Sequence, residues 1–350
     1  MKRSLRNKKD KYWCGNRQIR SFSCRRMEKN MIKGIVFFTG IIVLLLMICI
    51  IILTSSQTFK VKNFSRNILV PDSNMLKLSN SDNLIINSTL VDVKSIHSGN
   101  LTVNLSNPLN LKHPLCSEIN NEEIHIPIFA YLLHHKKYGY FLIDSGCETS
   151  YVDNIYGPMK GLLLPFVMAK TDIESINTIE SQLSEEVLNN IKGVFFTHLH
   201  FDHTSGIPAL PDNLIYVAGK GEKSYSIKWI LEANHFKKSD TIYMIDFDKD
   251  ISKTFPIGKA IDIFGDNTVW AISTPGHSKG HISYLINSEE GPVLIAGDAC
   301  ILNKNLEMGV GSGTSSADIK QDQETVNRIS TFIKNNPSVK IWYGHDYPNK

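Results

Sequence analysis

The segment THLHFDHTSG (197–206) sets three imidazoles and a carboxylate within six residues, directly after the apolar run Val194, Phe195 and Phe196. Such a run reads as a buried strand, and along a strand alternate side chains share a face. His198 and His200 therefore point the same way and can grip one cation, while the turn that follows brings Asp202 and His203 toward a second. Four donors do not close two metal sites. The chain must deliver more from distant segments, and strand-to-loop junctions are where they should be sought.

Three segments have the required form. His277 follows the strand-like VWAIS in TPGHSKGH, where Pro275 and Gly276 make a tight turn. Asp298 ends GPVLIAGD, and His345 ends KIWYG in YGHD. The full set is His198, His200, Asp202, His203, His277, Asp298 and His345. Its nitrogen and oxygen donors suit two divalent ions, zinc first, with iron, manganese or cobalt also compatible. Two dications, less two carboxylates and one bridging hydroxide, leave a net charge of about +1 with neutral imidazoles. A bound water then has its pKa lowered to about 7 and can attack a carbonyl or phosphoryl carbon or phosphorus. Hydrolysis is the expected reaction class, with Asp202 and Asp298 as catalytic groups and a small molecule as substrate.

The remaining pattern is strand-rich. VDVKSIHSGNLTVNLS reads as two strands joined at Ser98, Gly99 and Asn100. IPIFAYLLHHKKYGYFLIDSG reads as a hairpin turning near Lys136 and Tyr138, its second strand ending at Asp144. Ile179, Leu183, Val187 and Ile191 lie four apart and predict one amphipathic helix over 179–191. Further strands are expected at TIYMIDF, VWAIS, HISYLIN, GPVLIAGDA and KIWYG, and a helix over 319–335. Many strands with few helices point to sheets covered by helices.

In their order and intervals, THLHFDH, TPGHSKGH, GDA and YGHD resemble the metallo-β-lactamase fold superfamily over about residues 89–350. The resemblance implies an α/β architecture, an αββα four-layer sandwich of two mixed β-sheets flanked by helices. It assigns His198, His200 and His277 to a first metal, Asp202, His203 and His345 to a second, and Asp298 to a bridge between them. Asp144, in IDSG, resembles a residue that orients ligands from behind, and His281 is a candidate for the same task. Among subgroups the chain is similar to N-acyl-homoserine lactonases, in which Phe201 would flank the acyl chain. One position departs: Ile301 stands where such lactonases carry a tyrosine three residues beyond the bridging aspartate. Attack on a lactone or ester carbonyl is the leading expectation. Thioester, phosphodiester or arylester hydrolysis, and a catalytically silent sensing module, stay open as alternatives.

Ahead of this domain the chain changes character. Residues 1–33 carry twelve Lys and Arg against two acids, so the remainder nets −6 although the whole chain nets +4. An acidic body argues against nucleic acid as a partner. Residues 34–54 contain no charged group, and as a helix would span about 30 Å, a bilayer core. The expected order is a basic cytoplasmic tail (1–33), a transmembrane signal anchor (34–54), an Asn/Ser-rich stalk (55–88) and an extracytoplasmic hydrolase domain (89–350). Cys116, Cys147 and Cys300 fall in that domain and are expected to be buried thiols.

Overall fold

The computed structural model describes residues 31–47, 59–70, 85, 90–167, 173–174, 177–223, 235–249 and 252–348. Residues 1–55 and 56–350 form separate compact units. In the first, α1 covers residues 31–47 with its apolar side chains exposed. Among the described residues no helix is long and apolar enough to cross a membrane. Of the anchor expected over 34–54, residues 34–47 lie in α1 and 48–54 lie outside the described residues.

The second unit is built from strands whose residues alternate between two apolar faces. An eight-stranded mixed sheet comprises β1 (Lys60–Asn63), β2 (Val91–Asn104), β3 (Glu123–His135), β4 (Gly139–Ile143), β5 (Ile173–Glu174), β6 (Ile191–Phe195), β7 (Ile215–Gly219) and β8 (Thr241–Ile245), in the order β1-β8-β7-β6-β4-β3-β2-β5. A six-stranded sheet comprises β9 (Lys253–Thr254), β10 (Lys259–Asp262), β11 (Val269–Ser273), β12 (Ile282–Ser288), β13 (Gly291–Gly297) and β14 (Lys340–Tyr343), in the order β14-β13-β12-β11-β10-β9. Phe141, Ile143 and Phe195 of the first sheet meet Ala271, Tyr284, Ile286 and Ile295 of the second in the central core. Neighbouring residues on the same strands face outward. Trp270, Leu285 and Leu294 pack beneath Val326, Ile329 and Phe332 of the long helix Ile319–Asn335. On the opposite side Val194, Phe196 and Ala218 are covered by Ile207, Leu210 and Phe236.

Among the described residues of this unit the α-helices, after α1, are α2 (Leu164–Val167), α3 (Ile179–Gln182), α4 (Glu185–Asn189), α5 (Phe201–Thr204), α6 (Asn303–Met308) and α7 (Ile319–Asn335). The single helix expected over 179–191 is thus two, followed by a strand. Ser184 accepts a hydrogen bond from the Val187 amide and starts α4 afresh, Leu183 is extended, and Ile191 opens β6. The two strands expected around Ser98 are one, β2, with a register shift between His97 and Gly99 that absorbs the extra residue as a bulge.

The expected stalk also needs correction. β1 pairs in parallel with β8, and Phe64, Leu69 and Val70 are buried in the central core. The Arg66 guanidinium donates to the Asp262 carbonyl at 3.1 and 2.7 Å. Scattered apolar residues in an Asn-rich segment found places between the sheets, so the folded unit begins well before residue 89. Of the rest of the expected stalk, 55–58, 71–84 and 86–89 lie outside the described residues.

Candidate metal centre

β4, β6, β11, β13 and β14 all end at one rim of the sandwich, and each delivers a polar residue just past its last apolar position. β6 leads into Thr197, His198 and His200, β11 into His277, β13 into Asp298, β14 into His345, and β4 into Asp144. Asp202 and His203 lie on the single turn of α5, which starts at His200.

All seven expected donors converge. The Nε2 of His277 lies 3.1 Å from His198 Nε2 and 2.9 Å from His200 Nδ1. On the other side His345 Nε2 lies 3.4 Å from Asp202 Oδ2, and His203 Nε2 lies 3.9 Å from the same oxygen. Asp298 stands between the two groups. Its Oδ1 is 3.3 Å from His203 Nε2 and 3.3 Å from His345 Nε2, while its Oδ2 is 3.3 Å from His277 Nε2 and 4.0 Å from His198 Nε2.

These contacts fit cations better than hydrogen bonds. Three ring nitrogens converging on one point cannot satisfy one another with single protons. A tetrahedral ion with bonds of about 2.0–2.1 Å holds its donors roughly 3.3–3.4 Å apart, close to the spacings found. Among the described residues His203 Nε2 and Asp298 Oδ1, both buried, have no hydrogen-bond partner, as expected of atoms reserved for a metal.

Tautomers agree. The His345 Nδ1 donates to the Pro127 carbonyl at 2.8 Å, which fixes the proton there and leaves the Nε2 lone pair facing the centre. His203 Nδ1 donates to Asp144 Oδ2 at 2.8 Å with the same result. The Thr197 hydroxyl donates to Asp144 Oδ2 at 2.8 Å and can accept from His198 Nδ1 at 3.1 Å. Asp144 thus holds the His203 ring directly, and that of His198 through Thr197, on the side away from the donor groups. His281 does not join either donor group. Its Nδ1 pairs with the Thr274 hydroxyl at 2.8 Å, its ring centre is 5.3 Å from that of His198, and burial pushes its pKa down to about 3.

The electrostatics differ between the two sides. Burial holds His198 and His277 well below the usual imidazole range, so both are neutral with lone pairs available. Burial also acts on His345, but the Asp298 and Asp202 carboxylates override it and raise the imidazole to about 10. Asp202 is drawn down to about 2 because His203 and His345 outweigh its burial. A cation on this side takes the place of protons that the carboxylates otherwise attract.

Beside the centre lies a cavity of about 150 Å³. His200, Asp202, His277, Asp298 and His345 form its floor, and Leu101, Val103, Pro108, Ile126, Phe201 and Ile301 supply an apolar wall, with Asn107 and Ser315 as polar exceptions. Phe201 and Ile301 thus both face the space where a substrate would lie. Cys116, Cys147 and Cys300 are buried free thiols. Thr197, whose hydroxyl donates to Asp144, and Pro127, whose carbonyl accepts from His345, carry no sequence signal: a threonine before a histidine and a proline within an apolar strand look like ordinary residues.

Two mixed sheets face to face, with nitrogen and oxygen donors gathered at one rim, define a metal-dependent hydrolase. Residues 126–345 match the metallo-beta-lactamase superfamily, and the chain belongs to that family. It is 25% identical over 235 residues to the N-acyl homoserine lactonase AttM of Agrobacterium fabrum, covering 65% of this chain and 84% of that one. It is 28% identical over 241 residues to an N-acyl homoserine lactonase of a Bacillus species, covering 64% and 83%. The crystal structure of a quorum-quenching N-acyl homoserine lactone hydrolase superposes with a TM-score of 0.53 at 21% identity, covering 75% of this chain and 94% of that one. At that identity the superposition speaks for the fold alone.

Proposed function

We propose that the chain is a dinuclear metal-dependent hydrolase that opens lactones, or cleaves related esters, bearing an apolar substituent. The observation that carries this reading is the cavity in which an apolar wall meets the donor cluster. The relatedness to proteins named as N-acyl homoserine lactonases supports it. His198, His200 and His277 would hold one ion and Asp202, His203 and His345 the other, with one oxygen of Asp298 turned to each. Two divalent ions, zinc by donor type, would polarise the substrate carbonyl and lower the pKa of water at the site to about 7.

The protein's own groups do the rest. Asp298 keeps the two halves at a fixed separation. Asp202 is ionised, lies in the cavity floor, and can accept a proton from the attacking water and pass it to the leaving oxygen. The water oxygen bonds to the carbonyl carbon, the ring C–O bond breaks, and a hydroxy acid results. Phe201, Leu101 and Ile301 exclude water along the substituent. Ile301 offers no hydroxyl to the carbonyl, so polarisation of that carbonyl would fall to the ions that the donor cluster holds.

Purified full-chain protein is expected to contain two metal ions and to open N-acyl homoserine lactones, with all turnover lost on chelation and regained on adding zinc. Turnover of aryl esters, thioesters or phosphodiesters in preference to lactones would move the substrate assignment. Two bound ions with no hydrolysis of any of these would favour a sensing role. We also propose that residues 34–54 tether the enzyme to a membrane, with the catalytic unit on the extracytoplasmic side; the uncharged run and the basic segment before it support this.

A further inference from the structure

The end of β7 and the loop after His277 cross backbone to backbone. A Cβ on Gly219 would lie 1.8 Å from the Gly280 carbonyl oxygen, and one on Gly280 would lie 2.7 Å from that of Gly219. Past the crossing the chain turns sharply through Gly221 (φ +107), and the Glu222 amide donates back to the Gly219 carbonyl at 3.1 Å. Glu222 is delivered into the interior, with only 5% of its surface exposed.

Its carboxylate is satisfied by two loops. Oε2 accepts from the amide of Leu199, between His198 and His200, at 3.0 Å. Oε1 accepts from the amide of Gly280 at 2.8 Å and from the hydroxyl of Ser278, next to His277, at 2.5 Å. Among the described residues no Lys, Arg or His forms an ion pair with it. A buried carboxylate held by three such donors is costly to disturb, since losing it strands all three.

We propose that Glu222 is a positioning residue that clamps the loop of His198 and His200 to the loop of His277 and so sets the spacing of those three imidazoles. Asp144 and the Pro127 carbonyl brace His203 and His345 separately. Removing Glu222 should therefore weaken the three-histidine side selectively. The inference rests on the metal reading above.

The test uses full-chain protein with zinc alone, titrated against a competing chelator, and cobalt substitution followed by visible absorption. A His277→Ala protein identifies which absorption band belongs to the three-histidine side. In Glu222→Ala the ion on that side is expected to be held about 10–100-fold more weakly, with its band altered, and the other ion to change by less than about threefold. Glu222→Gln keeps one acceptor and should fall between. Ser278→Ala removes a single donor, leaves both backbone amides in place, and should weaken the same ion by a few fold even if the Glu222 variants do not fold. Unchanged affinity for both ions, or equal loss of both, would overturn the clamp. A parent protein that binds no zinc would overturn the metal reading and the clamp with it.

Discussion

Asp144 holds a backbone φ of +53, a left-handed conformation that costs a residue with a side chain roughly 1–3 kcal/mol. In that position one carboxylate accepts from the Thr197 amide, the Thr197 hydroxyl and His203 Nδ1, each at 2.8 Å. An amide in its place turns one acceptor into a donor facing donors, and His203 loses its fixed tautomer. Asp144→Asn is expected to lower metal affinity or kcat/KM by about 10–100-fold with unchanged circular dichroism, measured by chelator competition and lactone assay. Unaltered affinity and rate would show that His203 is oriented by other means. The donors themselves were legible because each follows an apolar run that had to be a strand. Glu222 was not, because a carboxylate between lysines in GKGEK has the composition of a solvated turn, and only the crossing of Gly219 with Gly280 takes it inside.

α7 does more than roof the second sheet. On the approach to it the Ala317 amide donates to the His277 carbonyl at 2.9 Å and the Asp318 amide to the Gly276 carbonyl at 3.0 Å, and within it the Thr325 hydroxyl donates to the Pro275 carbonyl at 2.7 Å. Asp322, in its first turn, is fully buried and accepts from the Ser312 amide at 2.6 Å, and burial pushes its pKa up to about 7. The unfolded value is near 3.9, so the folded protein binds the extra proton between about pH 4 and 7. Stability from this group is full below that window and is lost as pH rises through it. Relative to the parent, Asp322→Asn should therefore gain stability as pH rises from 4 to 7, by up to a few kcal/mol. Denaturant unfolding at pH 5 and pH 8 checks the sign; a difference that does not grow with pH would refute it. α7 was readable because its apolar positions recur at helical spacing. The break between α3 and α4 was not, since a four-residue stripe through Ile179 and Ile191 continues across a serine cap that the periodicity does not register.

The larger architecture followed from the resemblance of THLHFDH, TPGHSKGH, GDA and YGHD to a known fold family, because the strand-rich pattern by itself points only to sheets covered by helices. The front of the chain was harder to read. If residues 34–54 tether the enzyme, full-chain protein should stay with membranes through alkaline carbonate and be released only by detergent, and its catalytic unit should be open to protease added from the outer face. Release by carbonate would dispose of the tether and leave the enzyme reading intact. What composition hid is that β1 closes the flank of the eight-stranded sheet against β8, while Phe64, Leu69 and Val70 plug the space between the layers. A shortened enzyme started at residue 89 would bare the flank of β8 and leave an oily gap beneath it, inviting stacking between molecules. Anyone trimming this protein for crystallisation should cut ahead of Phe59.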